Sequence, residues 1–272
     1  MRRLKALLFS SSMRNPRPRF NVIELALFGV LIAVLAFIGG LYRTRYVLAP
    51  YLSNGPQELA SLEKRYGPSR NSEHGEEWIV RDYFHDQRGG VFVDVGANDY
   101  RRFSNTYFLE TNLGWSGLAI EPQTKFAEGY AQHRPRTVFI PLFVSDSSNG
   151  QAVLHVPANN DLIASADPAF VQALGGERIV SQQMTTTTLD AVLERQNIDH
   201  LDFLSIDVEL HEPEVLRGLS VERFQPRLVC VEAHPEVRQR ILDYFAAHGY
   251  AVLGKYLRAD TQNLWFTPSK RS

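Results

Sequence analysis

Cysteine is almost missing from this 272-residue chain, Cys230 being the single one. An intramolecular disulfide framework and a cysteine-based zinc cluster are therefore excluded. Eighteen glycines and 14 prolines are too few for a collagen-like chain. Net charge is missing as well, because 29 Lys+Arg stand against 30 Asp+Glu. That balance averages two unlike parts. The first 20 residues hold six basic side chains (Arg2, Arg3, Lys5, Arg14, Arg17, Arg19) and no acid, which leaves 23 basic and 30 acidic residues for the rest. An acidic body lacks the basic face that phosphate contacts need, so nucleic acid is set aside as a partner. With 44% apolar and 22% charged residues, the chain is neither wholly disordered nor a polytopic membrane protein, and it is long enough to bury a core.

One long apolar run is present, Val22–Tyr42, with Glu24 as its sole charge. From Leu25 to Tyr42 it offers 18 uncharged residues, about 27 Å of helix at ~1.5 Å per residue, close to a hydrocarbon core of ~30 Å. Arg43 and Arg45 follow and reach the interface. This reads as one transmembrane helix. A buried core helix would be shorter and keep a polar stripe; a signal peptide has a shorter apolar region. Arg14, Arg17 and Arg19 precede the span, a three-to-two excess over the far side that leaves its orientation open. The expected organisation is a basic tail (1–21), the membrane helix (22–42), a Pro- and Gly-punctuated linker (43–71) and a domain (72–272).

Within that domain, strand-like and helix-like runs alternate. Val91–Val95 is a continuous apolar run closed by Gly96, as expected of a buried parallel strand. Further strands are expected at Gly117–Glu121, Val138–Val144, Phe203–Asp207 and Leu228–Glu232, with helices between them and a closing antiparallel pair at Ala251–Lys255 and Asn263–Thr267. The pattern predicts an α/β fold, Rossmann-like, with a mostly parallel sheet and helices on both faces. Ligands in such folds lie beyond the carboxyl ends of the strands.

The strand ends carry the chemistry. Asp94-Val-Gly96-Ala-Asn98 ends the first strand, and its glycine permits a tight turn and close approach to a ligand. The full G-x-G-x-x-G needed for a pyrophosphate is absent, since Asn98 and Arg101 occupy the later glycine positions. An NAD-linked enzyme is thereby disfavoured, and a smaller nucleoside ligand suits the turn. Glu121, at the end of the second strand, is placed to accept hydrogen bonds from two ribose hydroxyls. Asp207, Glu209, His211 and Glu212 follow the fourth strand, and Glu232 and His234 the fifth. Such a group could serve as general base or hold a divalent cation. The spacing is not diagnostic of a metal, and none is assigned. Asn105 either touches the ligand or caps a helix, and Trp115 and Cys230 read as packing residues.

On Val91–Glu110, Gly114–Pro122, Thr186–Leu193, Phe203–Leu219 and Leu228–His234, the sequence resembles the FkbM family of S-adenosylmethionine-dependent methyltransferases. The resemblance implies a class I methyltransferase fold with a seven-stranded sheet whose last strand is antiparallel. It implies methyl transfer to a hydroxyl of a sugar or another small molecule. Asp94, Gly96 and Asn98 would line the methionine part of S-adenosylmethionine, with Glu121 at its ribose and Asp146 near its adenine. Asp207 and Glu209 would face the acceptor, and Asp207, Glu209 or His211 would be the base. Tyr100 and Leu210 stand where the family commonly has glycine. That departure motivates an alternative, a catalytically inactive, membrane-tethered binding domain of the same fold.

Overall fold

A computed structural model describes residues 55–67, 71–175 and 178–269. The expected membrane span 22–42, the basic tail and most of the linker lie outside the described residues. Among the described residues no helix is long and apolar enough to cross a membrane.

Two helices, α1 (Gly55–Tyr66) and α2 (Glu76–Phe84), lead into the main sheet. In chain order there follow β1 (Val91–Val95), α3 (Tyr107–Leu113), β2 (Ser116–Ile120), α4 (Ala127–His133), β3 (Thr137–Ile140), β4 (Phe143–Val144) and β5 (Gln151–Pro157). Next come α5 (Pro168–Gly175), β6 (Ile179–Thr187), α6 (Leu189–Arg195), β7 (Phe203–Ile206), α7 (Glu212–Arg217) and α8 (Val221–Phe224). β8 (Leu228–Glu232), α9 (Arg238–Ala247), β9 (Tyr250–Val252) and β10 (Asn263–Pro268) complete the set. The main sheet has seven strands in the order β3-β2-β1-β7-β8-β10-β9. β10 runs antiparallel to both neighbours, while β3, β2, β1, β7 and β8 are mutually parallel. The expected parallel sheet and closing antiparallel pair are both present.

Period-two burial explains why both faces are covered. Along β1, Val93 and Val95 pack with Leu189, Val215, Ile241 and Phe245 of α6, α7 and α9. Phe92 points the other way and packs with Ile79, Phe84, Leu109 and Leu113 of α2 and α3. The central strands β1, β7 and β8 are buried on both sides, so their sequences read as continuous apolar runs. Cys230 and Trp115 are buried in the second of these clusters, as their sequence context suggested. The Trp115 ring lies over Gly90, where an added Cβ would come within 2.7 Å of it.

The chain departs from expectation after β3. Val138–Val144 is not one strand, because Pro141 cannot donate to the ladder. β4 instead joins a second sheet, ordered β4-β6-β5. Its long strand β6 is largely exposed and carries Ser, Gln and Thr, so no apolar alternation reveals it. The threonine run divides its work: Thr185–Thr187 finishes β6, and Thr188 caps α6 by accepting from the Ala191 amide at 3.2 Å. Ser104 similarly accepts from the Thr106 and Tyr107 amides at the start of α3.

A buried ion pair ties the edge of the sheet to α3. Arg134, fully buried at the end of α4, meets Glu110 of α3 through Nε. Glu110 also accepts from the Arg136 amide at 2.7 Å. Removing one member of such a pair strands the other charge. Arg134→Met is expected to cost about 3–5 kcal/mol in chemical denaturation. Adding Glu110→Gln should recover part of that loss; a double variant as unstable as the single one would contradict the pairing.

Candidate active site

The carboxyl ends of β1, β2, β7 and β8 open on a cavity of about 410 Å³, within the range of roughly 300–1,000 Å³ usual for small-molecule sites. Two turns form its floor. Gly96 has φ +81°, and a Cβ there would lie 1.7 Å from the Asp207 carbonyl oxygen. Both the left-handed backbone and the contact with β7 demand glycine. Asn98 follows in the same left-handed region, at φ 48°, and its Oδ1 accepts from the Asp99 amide at 2.8 Å, the local bond that lets asparagine tolerate it.

On the β1–β2 side, Asp94 and Glu121 are both buried and line the cavity. Thr106 Oγ1 donates to Asp94 Oδ2 at 3.0 Å. Asn105 Nδ2 donates to Ser205 Oγ at 3.0 Å, so Asn105 faces the cavity while Ser104 does the capping. Burial dominates the Asp94 carboxyl and lifts it to about 6, against the pull of the Thr106 bond and the Arg134 charge. Glu121 accepts from the Gln123 amide at 2.9 Å and the Asn98 amide at 3.3 Å. Burial raises its carboxyl too.

The β7–β8 side gathers Asp207, Glu209, His211, Glu232 and His234, all lining the cavity. His234 Nε2 lies 3.1 Å from Glu232 Oε1 and 3.6 Å from Glu209 Oε2. Asp207 is open to the cavity, yet close protein and the charges of Glu232 and Glu209 hold its carboxyl well above the usual range. Burial, then Glu232, lift Glu209 to about 8. Its carboxylate neighbours, Glu232 first, lift His234 to about 9. His211 behaves differently. Its Nε2 sits 3.1 Å from Ser145 Oγ, its ring meets Phe143 edge-on at 5.1 Å, and burial lowers its pKa.

The description "Methyltransferase FkbM domain" covers residues 94–252, more than half of the chain. The chain belongs to the FkbM methyltransferase family. It is also similar to the solved structure of an S-adenosylmethionine-dependent O-methyltransferase from Thermotoga maritima, at 10% identity and a TM-score of 0.38, over 79% of this chain and 72% of that one. A second is the METTL16 methyltransferase domain, at 12% identity and a TM-score of 0.40, over 72% of this chain and 66% of that one. No curated protein matches the chain.

Eight of the nine candidate residues named from the sequence line this one cavity. Asp146 does not. It is exposed, pairs with Arg217 Nη2 at 3.0 Å, and is absent from the cavity wall. The wall there is Leu142, Phe143 and Val144, an apolar surface. The two departures from glycine also fall outside the wall. The Tyr100 ring stacks on His133 at 4.6 Å, beside α4. Leu210 takes φ 76°, the left-handed value glycine would adopt freely, and packs against the core beneath β7. Sequence reasoning missed Thr106 and Ser205, which hold Asp94 and Asn105; both are buried polar residues whose partners lie far along the chain.

The lifted Asp94 carboxyl has a stability consequence. The unfolded value is about 3.9, so between pH ~4 and ~6 folding takes up a proton, and stability falls as pH rises through that window. Above pH 6 the full penalty applies, about 3 kcal/mol at ~1.4 kcal/mol per unit. Asp94→Asn should therefore stabilise the ligand-free protein at pH 8, with the gain shrinking toward pH 4.5 in denaturant titrations. A gain independent of pH would contradict the assignment.

Proposed function

We propose that this methyltransferase acts on a hydroxyl oxygen of a sugar or another small molecule, and that segment 22–42 tethers it to a membrane. One observation carries the reading: the buried carboxyls Asp94 and Glu121 share a single cavity with Asp207, Glu209 and His211. The donor set suits S-adenosylmethionine, which pairs cationic groups and a ribose diol with an apolar base. When bound, S-adenosylmethionine supplies an electrophilic methyl group on a sulfonium.

The chain's own residues supply position and proton handling. Asp94, ionised opposite a cation, would hold the methionine end, with Gly96 and Asn98 turning the backbone around it. Glu121 would take the ribose hydroxyls. Glu209, lifted to about 8 by burial and then by Glu232, keeps its proton at neutral pH, and neighbouring carboxylates hold the Asp207 carboxyl well above its usual range. His211 is then the group ready to accept the acceptor's proton, since burial keeps its ring neutral. β5, α5 and the segment between them add Leu154, Leu162, Ile163, Phe170 and Leu174 as an apolar wall on the acceptor side, suited to a small molecule with an apolar portion.

The test is transfer of radiolabelled methyl from S-adenosylmethionine to a panel of sugar and small-molecule hydroxyls, using the full chain. His211→Asn should lower kcat by about 10²–10⁴ and leave donor affinity unchanged. Label found on nitrogen or carbon, or undiminished kcat in the variant, would overturn the reading. Donor binding with no transfer to any acceptor would favour the inactive binding domain instead, although Tyr100 and Leu210, which motivated it, stand clear of the cavity wall.

A further inference from the structure

We propose that Glu209, Glu232 and His234 form a site for one divalent first-row transition cation on the acceptor side of the cavity. Each side chain offers one ligand atom, and these atoms lie within 4.8 Å of one another. A cation ~2.1 Å from each donor requires donor–donor distances of about 3.0–3.4 Å. The 3.1 Å from His234 Nε2 to Glu232 Oε1 falls within that spacing, and the 3.6 Å to Glu209 Oε2 is slightly wider.

Unpartnered atoms point the same way. Glu232 Oε2 and His234 Nε2 are shielded from solvent and make no hydrogen bond, with His234 Nε2 held 3.1 Å from Glu232 Oε1 as an ion pair. Glu212 is fully buried, and although its Oε1 accepts from the Val208 amide at 3.0 Å, its Oε2 has no partner. Glu232 is the neighbouring charge that acts on it most strongly. Glu232, Glu209 and Glu212 are thus the carboxylates whose charges act on His234. Buried polar atoms are usually satisfied, and a divalent cation would satisfy Glu232 Oε2 and His234 Nε2 together.

The residue types narrow the ion. Two carboxylates with one imidazole suit Mn²⁺, Fe²⁺ or Zn²⁺ better than Ca²⁺ or Mg²⁺, which favour all-oxygen shells. Three protein ligands leave positions open toward the cavity, where a hydroxyl or water would complete the shell. Two local features hold the ligands in place. Ser165 Oγ donates to the Glu209 carbonyl oxygen at 2.5 Å, and the Phe170 ring packs edge-on against His234 at 5.2 Å.

The test is titration of the metal-stripped full chain with Mn²⁺, followed by electron paramagnetic resonance, without methyl donor or acceptor. It is therefore independent of the methyl-transfer reading. One saturable Mn²⁺ is expected, with affinity at least tenfold weaker in Glu232→Gln and in His234→Gln. Asp146→Asn, at an exposed carboxylate paired with Arg217, should bind as the parent does. An unchanged circular dichroism spectrum and denaturation midpoint would show that each variant is folded. No saturable Mn²⁺, or binding that neither substitution weakens, would overturn the proposal and leave His234 as an ion-pair partner of the two glutamates.

Discussion

The site depends on how closely β1 and β7 end. A Cβ on Gly96 would fall 1.7 Å from the Asp207 carbonyl oxygen, so the two strand ends touch backbone to backbone. That contact brings the carboxyl pair of Asp94 and Glu121 into the same cavity as the Asp207–His234 group. With any larger residue at 96 the turns would separate, and a donor held on one side would no longer face an acceptor on the other. A shift of about 1 Å at a reacting centre is enough to cost two orders of magnitude in rate.

Around that contact the polar groups are linked in a chain. Arg134 pairs with Glu110 and donates to Thr106 at 3.1 Å, and Thr106 in turn donates to Asp94. A buried ion pair at the sheet edge thereby fixes the orientation of a carboxyl at the cavity floor. Across the cavity the charges that act on Asp207 are carboxylates, Glu232 first. The two sides are thus tuned differently. One side is a hydrogen-bonded pocket built on Asp94 and Glu121, and the other is a group of acids with His211, whose pKa burial lowers, beside it.

Much of this was legible from sequence because parallel strands buried on both faces announce themselves as apolar runs. Leu228–Glu232 and Val91–Val95 have the boundaries their composition suggests. Seven residues singled out by the strand-end rule, Asp94, Gly96, Asn98, Glu121, Asp207, Glu209 and His211, line one cavity. What stayed hidden has a physical reason in each case. β6 is exposed and polar, so it lacks the alternation that marks a strand. The partners of Asp94 and Glu110 lie 12 and 24 residues away in sequence, and no local pattern encodes such a contact. Asp146 sits one residue past Ser145, which turns inward to His211, so Asp146 faces solvent and Arg217 instead.

The central claim is that this cavity holds the methyl donor through Glu121 and its neighbours. Calorimetric titration of the full chain with S-adenosylhomocysteine tests it most directly. The account predicts one saturable site, weakened roughly 10- to 100-fold by Glu121→Gln, the value of about 1.5–3 kcal/mol for hydrogen bonds to a charged group. No saturable binding, or binding indifferent to that substitution, would contradict it.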